Sequence, residues 1–293
     1  MAKDKNRQKI NLKIGELPTL KVISTSNIQF HEKPDKGRFL NLVDRFGTEG
    51  ILKNPPIVAR IKNIKKYVIL DGANRVTALM KLGFKHIVTQ VVDFDDPFLS
   101  LHCWHHAVEK LDKEYFLKNI GRFPGIEITL NDGGEKDTEI NEKLFLSDGF
   151  LCRMLFADGQ TATARNGGDI LEQVKQLGKI ADLYLQTSYY DRVSYINLEH
   201  LKRHYPDFKT LLTFRHYDKA DFARIVESGR KIPAGITRVF LPKRALGLNV
   251  QLEFLKSGLT LEEKNQWLED MILKKVRGKS IRFYREPTFA FDE

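Results

Sequence analysis

The chain has 293 residues, enough for one large hydrophobic core or two smaller ones, and its composition is that of a globular protein. Its 48 lysines and arginines outnumber its 38 acidic residues, which gives a formal net charge of +10. This excess favours a polyanionic partner such as DNA, RNA or a nucleotide. It does not choose among them, because acidic residues are interleaved with basic ones along most of the chain.

Membrane and secretory signals are not found in the sequence. No apolar run approaches the roughly 20 residues that a membrane-spanning helix needs. The basic residues 1–12 lack the apolar segment of a secretory signal. The two cysteines, Cys103 and Cys152, do not suggest a disulfide framework. We therefore expect a protein of the reducing cytoplasm.

The first third of the chain predicts strands that alternate with helices, a pattern typical of a compact α/β unit. The predicted elements are a strand over 17–28, a helix over 39–49 that ends at Gly50, strands over 51–61 and 67–70 around a turn at Asn63, a helix after 75 that ends at Gly83, and a strand over 87–94.

The segment Asp71-Gly72-Ala73-Asn74-Arg75 joins the strand over 67–70 to the helix that follows it. Gly72 permits a sharp turn and leaves no side chain in the way of a ligand. The free N–H groups at the start of the helix and the fixed charge of Arg75 suit a phosphate group. A tight turn in which Asp71 caps the helix and Arg75 is solvated explains the spacing equally well.

This turn, followed by Ala78 and Leu82-Gly83, resembles the signature of the ParB/sulfiredoxin-like superfamily. In that superfamily the turn binds nucleotide phosphates, so the resemblance implies this role for Asp71, Gly72, Ala73, Asn74 and Arg75. Many members carry histidine where this chain has Ala73-Asn74. One phosphate contact is therefore either absent or made by the Asn74 amide, and the nucleotide that is consumed stays open.

Three further segments are similar to the free L-serine kinase branch of that superfamily: the pair His31-Glu32, residues 50–55, and residues 235–238. The resemblance implies that Glu32 is the base acting on the serine hydroxyl. It also implies serine-binding roles for His31, Trp104, Thr237 and Arg238. Without the resemblance, the residues themselves predict only that Glu32 is a surface carboxylate and that residues 235–238 form a turn that enters a strand.

The resemblance implies an ATP- or ADP-dependent kinase that uses Mg²⁺ and converts free L-serine to O-phospho-L-serine. Asp71 would either assist the metal ion or only cap the helix. The expected fold class is α/β (α+β), with a ParB/sulfiredoxin-like nucleotide-binding domain over residues 15–110 and a second α+β domain over 111–293 that closes over it. The oligomeric state is left open.

The second part of the chain predicts a mixture of strands and helices. The glycine-rich residues 121–168 predict paired antiparallel strands, and Asp169 then caps a helix. Short helices are predicted over 198–212 and 222–228. Thr260 and Glu263 form a capping box before a C-terminal helix, and residues 281–291 are strand-like.

Two alternatives come from other functional classes. A ParB-type DNA-binding or regulatory protein would explain the positive charge, but it needs a helix-turn-helix that residues 121–168 do not suggest. Sulfiredoxin chemistry is disfavoured because it uses a cysteine beside the phosphate-binding turn, where this chain has Ala73.

A metal or haem site is suggested by His102, Cys103, His105 and His106. If this segment were helical, His102 and His106 would lie on one face. A second pair of ligands at metal spacing is missing from the sequence, so metal binding is also disfavoured.

Overall fold

In a computed structural model, residues 17–131, 142–185 and 188–284 are described. The strands of the first sheet are β1 (Leu20–Ser24), β2 (Ile28–Phe30), β4 (Ile57–Arg60), β5 (Tyr67–Asp71) and β6 (His86–Asp93), and the short β3 (Ile51–Leu52) lies outside it. Their order in the sheet is β1-β6-β4-β5-β2, in which parallel and antiparallel pairs are mixed.

Two helices accompany this sheet and pack against each other, α1 (Lys36–Glu49) and α2 (Ala73–Lys81). The carboxylate of Asp35 caps α1 by accepting the N–H of Arg38 at 3.0 Å. Gly50 ends the helix in the left-handed region, with φ of 64°. Gly83 has φ of 80° just after α2. Both predicted helix ends are therefore confirmed, because glycine adopts positive φ at little cost.

The strands of the second sheet are β8 (His105–Glu109), β9 (Glu127–Asn131), β10 (Phe150–Phe156), β11 (Thr161–Arg165), β12 (Tyr190–Val193) and β13 (Phe208–Phe214). This sheet is antiparallel throughout, with the order β12-β8-β13-β10-β11-β9. The other described elements are β7 (Ser100–Cys103), β14 (Thr237–Phe240), β15 (Val250–Gln251), α3 (Lys113–Ile120), α4 (Glu142–Phe145), α5 (Ile170–Leu185), α6 (Leu198–His204), α7 (Lys219–Glu227), α8 (Leu252–Lys256) and α9 (Leu261–Arg277).

The first sheet is buried on both faces, which explains why β5 is apolar at successive positions. Val68 and Leu70 belong to the core that the first sheet shares with the second sheet, α5 and α7. Tyr67 and Ile69 point the other way, into the core formed with α2 and α9. Side chains alternate across a strand, so this continuous apolar run fits a sheet covered on both sides. The fold is thus the expected mixture of α and β structure.

The C-terminal part of the chain returns to the first sheet. β15 pairs with β3, and α9 packs on β1 after the predicted capping box of Thr260 and Glu263. The Asn265 side chain bonds both backbone groups of Val22, which covers the open edge of β1. β8 belongs to the second sheet although it precedes residue 111, and β15 and α9 return to the first part of the chain, so the division into 15–110 and 111–293 stays a prediction.

Five sequence-based expectations differ from the structure. The strand over 51–61 forms as two strands, β3 and β4, which belong to different sheets. The strand over 17–28 is interrupted by a 3₁₀ turn at Thr25–Asn27. His102 lies in β7 and His106 in β8, so the helical face proposed for them does not form. Residues 208–212 belong to β13 rather than to a helix, because pairing with β8 and β10 outweighs local preference. Residues 281–284 form no strand, and 285–291 lie outside the described residues.

Candidate active site

An open cleft of about 710 Å³ lies where the first sheet meets the loops and strands around the second. It brings together all ten residues that the sequence and its resemblance singled out: His31, Glu32, Asp71, Gly72, Ala73, Asn74, Arg75, Trp104, Thr237 and Arg238. These residues come from distant parts of the chain, so their convergence is the strongest feature of the structure that bears on function.

Gly72 gives the turn between β5 and α2 its shape. The residue has φ of 90° and ψ of 26°, in the left-handed region that glycine tolerates. A Cβ atom there would lie 3.0 Å from Cβ of Pro56 and 3.1 Å from Nε of Arg75, closer than such atoms normally approach. The first N–H groups of a helix lack intrahelical acceptors, so the start of α2 offers donors to an anion at this turn.

Arg75 forms an ion pair with Asp71 at the turn. Nη1 of Arg75 donates to the carbonyl oxygen of Asn54 at 2.9 Å, and Nη2 lies 3.3 Å from Oδ2 of Asp71. Arg244 approaches the same oxygen at 2.6 Å. Burial acts to raise the pKa of Asp71, but the charges of Arg75 and Arg244 outweigh it, so the pKa lies below its ordinary value. Asp71 is therefore a carboxylate held between two guanidinium groups.

Gln90 holds the loop that carries Arg244. Its buried amide donates to the carbonyl of Lys243 at 2.8 Å and accepts the N–H of Ala245 at 2.8 Å. The buried Asn54 accepts the N–H of Gly247 at 2.8 Å in the same loop. The sequence did not reveal Arg244 as a site residue, because these contacts join segments far apart in the chain.

Asn74 ties the phosphate turn to the first loop. Its Oδ1 accepts the backbone N–H of Asp35 at 2.9 Å. Oδ2 of Asp35 in turn accepts the Tyr190 hydroxyl at 2.8 Å, which links this loop to the second sheet. The side-chain oxygen of Asn74 thus positions protein atoms around the cleft.

Glu32 is only 8% exposed, so the interpretation of a surface carboxylate is wrong. Oε1 accepts the N–H of Thr237 at 2.5 Å and also contacts the Thr237 hydroxyl. Oε2 accepts the N–H of Gly235 at 3.2 Å. Residues 235–237 therefore hold both oxygens of a carboxylate that lines the cleft.

His31 is buried beside this carboxylate, with 2% of its surface exposed. Nδ1 contacts the carbonyl oxygen of Ile69, and Nε2 lies 2.6 Å from the Thr237 hydroxyl oxygen. A carbonyl only accepts, so Nδ1 carries the proton. Burial lowers the pKa of His31, which favours the neutral ring. Nε2 is therefore an acceptor, and the Thr237 hydroxyl donates its single proton either to Nε2 of His31 or to Oε1 of Glu32.

Trp104 is half-buried between β7 and β8 and faces two arginines. Cζ of Arg238 lies 4.1 Å from a ring centroid of Trp104, and Cζ of Arg192 lies 5.9 Å from it. Both distances are within the range of a cation–π contact. Arg192, which the sequence did not reveal, is exposed to the cleft.

The cleft is strongly cationic, with seven basic side chains against three carboxylates. The basic residues are Lys33, Arg38, Arg45, Arg75, Arg192, Arg238 and Arg244, and the acidic ones are Glu32, Asp35 and Asp71. Such an excess in a confined site attracts ligands with several negative charges, as in a nucleoside polyphosphate.

Curated relatives of the chain are serine kinases, although no family model matches it. An ATP-dependent L-serine kinase of Staphylothermus marinus is 31% identical over 87 residues, which cover 30% of this chain and 34% of that enzyme. The ATP-dependent L-serine kinase SbnI of Staphylococcus aureus is 22% identical over 94% of this chain and 97% of its own length. The ADP-dependent L-serine kinase SerK of Thermococcus kodakarensis is 25% identical over 57% of this chain and 65% of its own length.

Solved structures share the fold over most of the chain. SbnI with a C-terminal truncation gives a TM-score of 0.62 at 20% identity and covers 87% of this chain and 96% of that chain. Over most of its length the chain is therefore similar to serine kinases, and it shares their fold. A free serine kinase in complex with AMP gives 0.63 at 17% identity and covers 82% of this chain and 94% of that chain.

The other functional classes find less support in the structure. In the described residues that follow the first sheet, α3 leads into strand β9 and not into the second helix of a helix-turn-helix. The same residues hold no group of three or more His, Cys, Asp or Glu side chains placed to bind a metal ion. No described helix is long and apolar enough to cross a membrane. Cys103 and Cys152 are both buried and free.

Proposed function

We propose that this protein is an enzyme that transfers a phosphoryl group from ATP or ADP to the hydroxyl of free L-serine and produces O-phospho-L-serine. The observation that carries the proposal is the placement of a buried carboxylate, Glu32, in the same cationic cleft as the phosphate turn. The relatives named as ATP- or ADP-dependent L-serine kinases support the same activity.

Glu32 acts as the general base in this proposal. The hydroxyl of serine is a weak nucleophile at neutral pH, so its proton must be removed as the bond to phosphorus forms. The N–H groups of Gly235 and Thr237 hold the Glu32 carboxylate in one orientation. An acceptor that displaces the Thr237 hydroxyl from Oε1 would place its own hydroxyl against the base, while His31 retains Thr237 nearby.

The phosphate turn holds the donor. The N–H groups at the start of α2 and the guanidinium groups of Arg75 and Arg244 surround the position for the phosphates. Phosphoryl transfer depends mainly on positioning and on stabilising the negative charge that is spread over the phosphoryl oxygens. Fixed arginines suit both tasks because their charge and planar donor geometry are set before the ligand binds.

Asp71, together with the nucleotide phosphates, would hold a Mg²⁺ ion that neutralises part of the phosphate charge. Oδ2 of Asp71 already has two arginine partners, so this carboxylate is a poor preformed cation site. Magnesium in kinases is usually held by one or two carboxylates together with substrate phosphates, and it neutralises charge between them. Asp71 is the carboxylate nearest the turn that would reach such a phosphate-bound ion.

The acceptor binds near Trp104, with Thr237 and Arg238 as further contacts. Free serine carries a carboxylate, and the guanidinium groups of Arg238 and Arg192 beside the indole suit that charge. The indole provides a rigid wall of defined shape. We assign His31 to this acceptor site through its contact with Thr237.

The decisive experiment incubates the purified protein with Mg²⁺, ATP or ADP, and a panel of free amino acids and small alcohols. We expect phosphorylation of L-serine, and we expect Glu32→Gln to lower kcat by roughly 10²- to 10⁴-fold with nucleotide affinity within a few-fold. Glu199→Gln is the matched control, because the Glu199 side chain is 83% exposed on α6. Wild-type protein that phosphorylates no free amino acid would overturn the proposed function, and an undiminished rate in Glu32→Gln would move the base elsewhere.

A further inference from the structure

His106 is a buried histidine behind the loop that holds Glu32. It lies on β8 and is 0% exposed. Nε2 lies 2.9 Å from the carbonyl oxygen of Gly235, and Nδ1 lies 2.7 Å from the hydroxyl of Tyr184, which is equally buried on α5. His106 is absent from the residues that line the cleft. Its contacts nonetheless reach the residue that donates to the proposed base.

These two contacts define the state of the ring. The carbonyl of Gly235 only accepts, so Nε2 of His106 carries the proton and donates it. Nδ1 then has a free lone pair, and the Tyr184 hydroxyl donates to it. Burial lowers the pKa of His106 to about 3, although the Gly235 contact acts in the opposite direction. The ring is therefore a neutral donor of fixed tautomer near neutral pH.

Three consecutive peptide units form the contact with Glu32. The first supplies the N–H of Gly235 to Oε2, and the third supplies the N–H of Thr237 to Oε1. His106 holds the carbonyl of the middle unit. The backbone N–H of Trp104 holds the carbonyl of the third unit, at Ile236, at 2.8 Å. Because peptide units are planar, a fixed carbonyl also fixes the N–H of the same unit.

Gly235 makes this arrangement possible and leaves it little freedom. Its φ of 74° is a conformation that other residues rarely adopt. A Cβ atom on Gly235 would lie 3.2 Å from Cδ of Arg192, 3.4 Å from the Tyr190 hydroxyl and 3.5 Å from Nε2 of His106. The loop is thus packed directly against three side chains of the second sheet.

We propose that His106, aligned by Tyr184, is a positioning residue for Glu32: it holds the peptide between Gly235 and Ile236 so that the two flanking N–H groups keep both carboxylate oxygens in place. The inference deepens the proposed function and rests on it. A residue in the core of the second sheet thus affects the reaction, although His106 contacts neither substrate. Misplacement of a reacting group by about 1 Å costs on the order of 10²-fold in rate, so this support has a measurable effect.

The first test compares variants by steady-state kinetics. His106→Leu should lower kcat by roughly 10- to 100-fold while the KM for nucleotide changes little, because the phosphate turn is untouched. His106→Gln should recover part of the rate, since its amide can donate to Gly235. His105→Leu is the matched control, because His105 is the adjacent residue of β8, is also buried, and points to the opposite face of the strand, where its ring lies 6.1 Å from that of Phe145.

Tyr184→Phe provides a second variant that keeps the ring volume. It removes only the hydroxyl that orients His106, so kcat should fall by a few-fold in a protein that folds normally. If His106→Leu does not fold, Tyr184→Phe decides the question. Wild-type kcat in a folded His106→Leu protein, or in Tyr184→Phe where His106→Leu does not fold, would overturn the proposal.

A double-variant cycle separates positioning from general damage. If His106 acts through Glu32, then His106→Leu or Tyr184→Phe added to Glu32→Gln should cause no further loss of kcat. A full additional loss in the Glu32→Gln background would overturn the proposal, because the residue would then act on something other than the base.

Hydrogen exchange gives a readout that does not need the enzyme reaction. The amide protons of Gly235 and Thr237 should exchange faster in His106→Leu or Tyr184→Phe than in the wild type, and those of β13 should not change. Unchanged exchange at both amides would overturn the proposal. The wild type could phosphorylate no serine while these amides still exchange faster in the variants. The proposed function would then fail, but the inference that His106 holds residues 235–237 would stand.

Discussion

Arg244 and Asp71 are 173 residues apart in the chain, yet Nη1 of Arg244 lies 2.6 Å from Oδ2 of Asp71. This ion pair brings the loop after β14 to the end of β5, where the phosphate turn begins. Gln90 fixes the backbone on both sides of Arg244. The guanidinium group is therefore placed at the turn before any ligand arrives, which reduces the entropy that binding must overcome.

Arg244→Ala should weaken nucleotide binding. A hydrogen bond to a charged group contributes about 1.5–3 kcal/mol, which corresponds to a loss of roughly 10- to 150-fold in affinity. Isothermal titration calorimetry with ATP and with ADP measures this change directly. Arg244→Lys should give an intermediate loss, because lysine retains the charge but lacks the planar pair of donors.

The control for Arg244→Ala is Arg224→Ala. Arg224 also pairs with an aspartate, Asp169, at 2.7 Å, but it lies on α7 and outside the cleft. Its loss should leave nucleotide affinity unchanged. Wild-type affinity in a folded Arg244→Ala protein would contradict the assignment of this arginine to the donor site.

Arg75→Ala should weaken nucleotide binding and also destabilise the fold. The side chain is 13% exposed and donates to the carbonyl of Asn54 at 2.9 Å, so its removal leaves a buried acceptor with one partner fewer. We expect a loss of about 1.5–3 kcal/mol in the free energy of unfolding. Urea denaturation measures it, and Arg244→Ala should show a smaller loss because Arg244 is 39% exposed. Equal stability of wild type and Arg75→Ala would show that Arg75 is needed for the ligand alone.

Local signals in the sequence predicted the parts of the site that depend on neighbouring residues. Gly72 between an apolar strand and a helical pattern already predicted the turn, because only glycine adopts that backbone conformation easily. The capping box at Thr260 and the helix end at Gly50 follow from equally local chemistry. Glu32 and Trp104 entered through resemblance, since nothing in their immediate neighbours marks a site.

The parts that the sequence did not predict depend on contacts between distant segments. Nothing in the sequence around Arg192 or Arg244 marks either arginine as a site residue. The position of β12 brings Arg192 to the cleft, and the contacts of Gln90 bring Arg244 there. The buried role of His106 depends on Tyr184 and Gly235, which lie in other elements. Residues 208–212 predict a helix because their apolar side chains fit either period, and only the pairing of β13 with β8 and β10 distinguishes the two.

Trp104→Ala should raise the KM for serine more than the KM for nucleotide. The indole lies beside Arg238 and Arg192 in the part of the cleft that we assign to the acceptor. Loss of a wall that touches only the acceptor weakens binding of that substrate alone. Trp267→Ala is the control, because Trp267 is the other tryptophan and stacks on Phe254 at 3.8 Å, away from the cleft. Equal changes in both KM values would show that Trp104 supports the fold and not one substrate.

Asp71→Asn should lower the free energy of unfolding at neutral pH, and the difference from the wild type should disappear in acid. The two arginines hold the pKa of Asp71 below its ordinary value in the folded protein. The ionised carboxylate therefore adds stability above the pKa of the unfolded chain, about 3.9, and this contribution disappears as pH falls through the lower folded value. Urea denaturation should show a constant difference in the free energy of unfolding between wild type and variant from about pH 5 to pH 8, and a shrinking difference below about pH 4.

The control for Asp71→Asn is Asp270→Asn, on the exposed face of α9, which should show no such difference. A difference between wild type and Asp71→Asn that is as large at about pH 2 as at neutral pH would mean that Asp71 stabilises the turn by its shape and hydrogen bonds rather than by its charge.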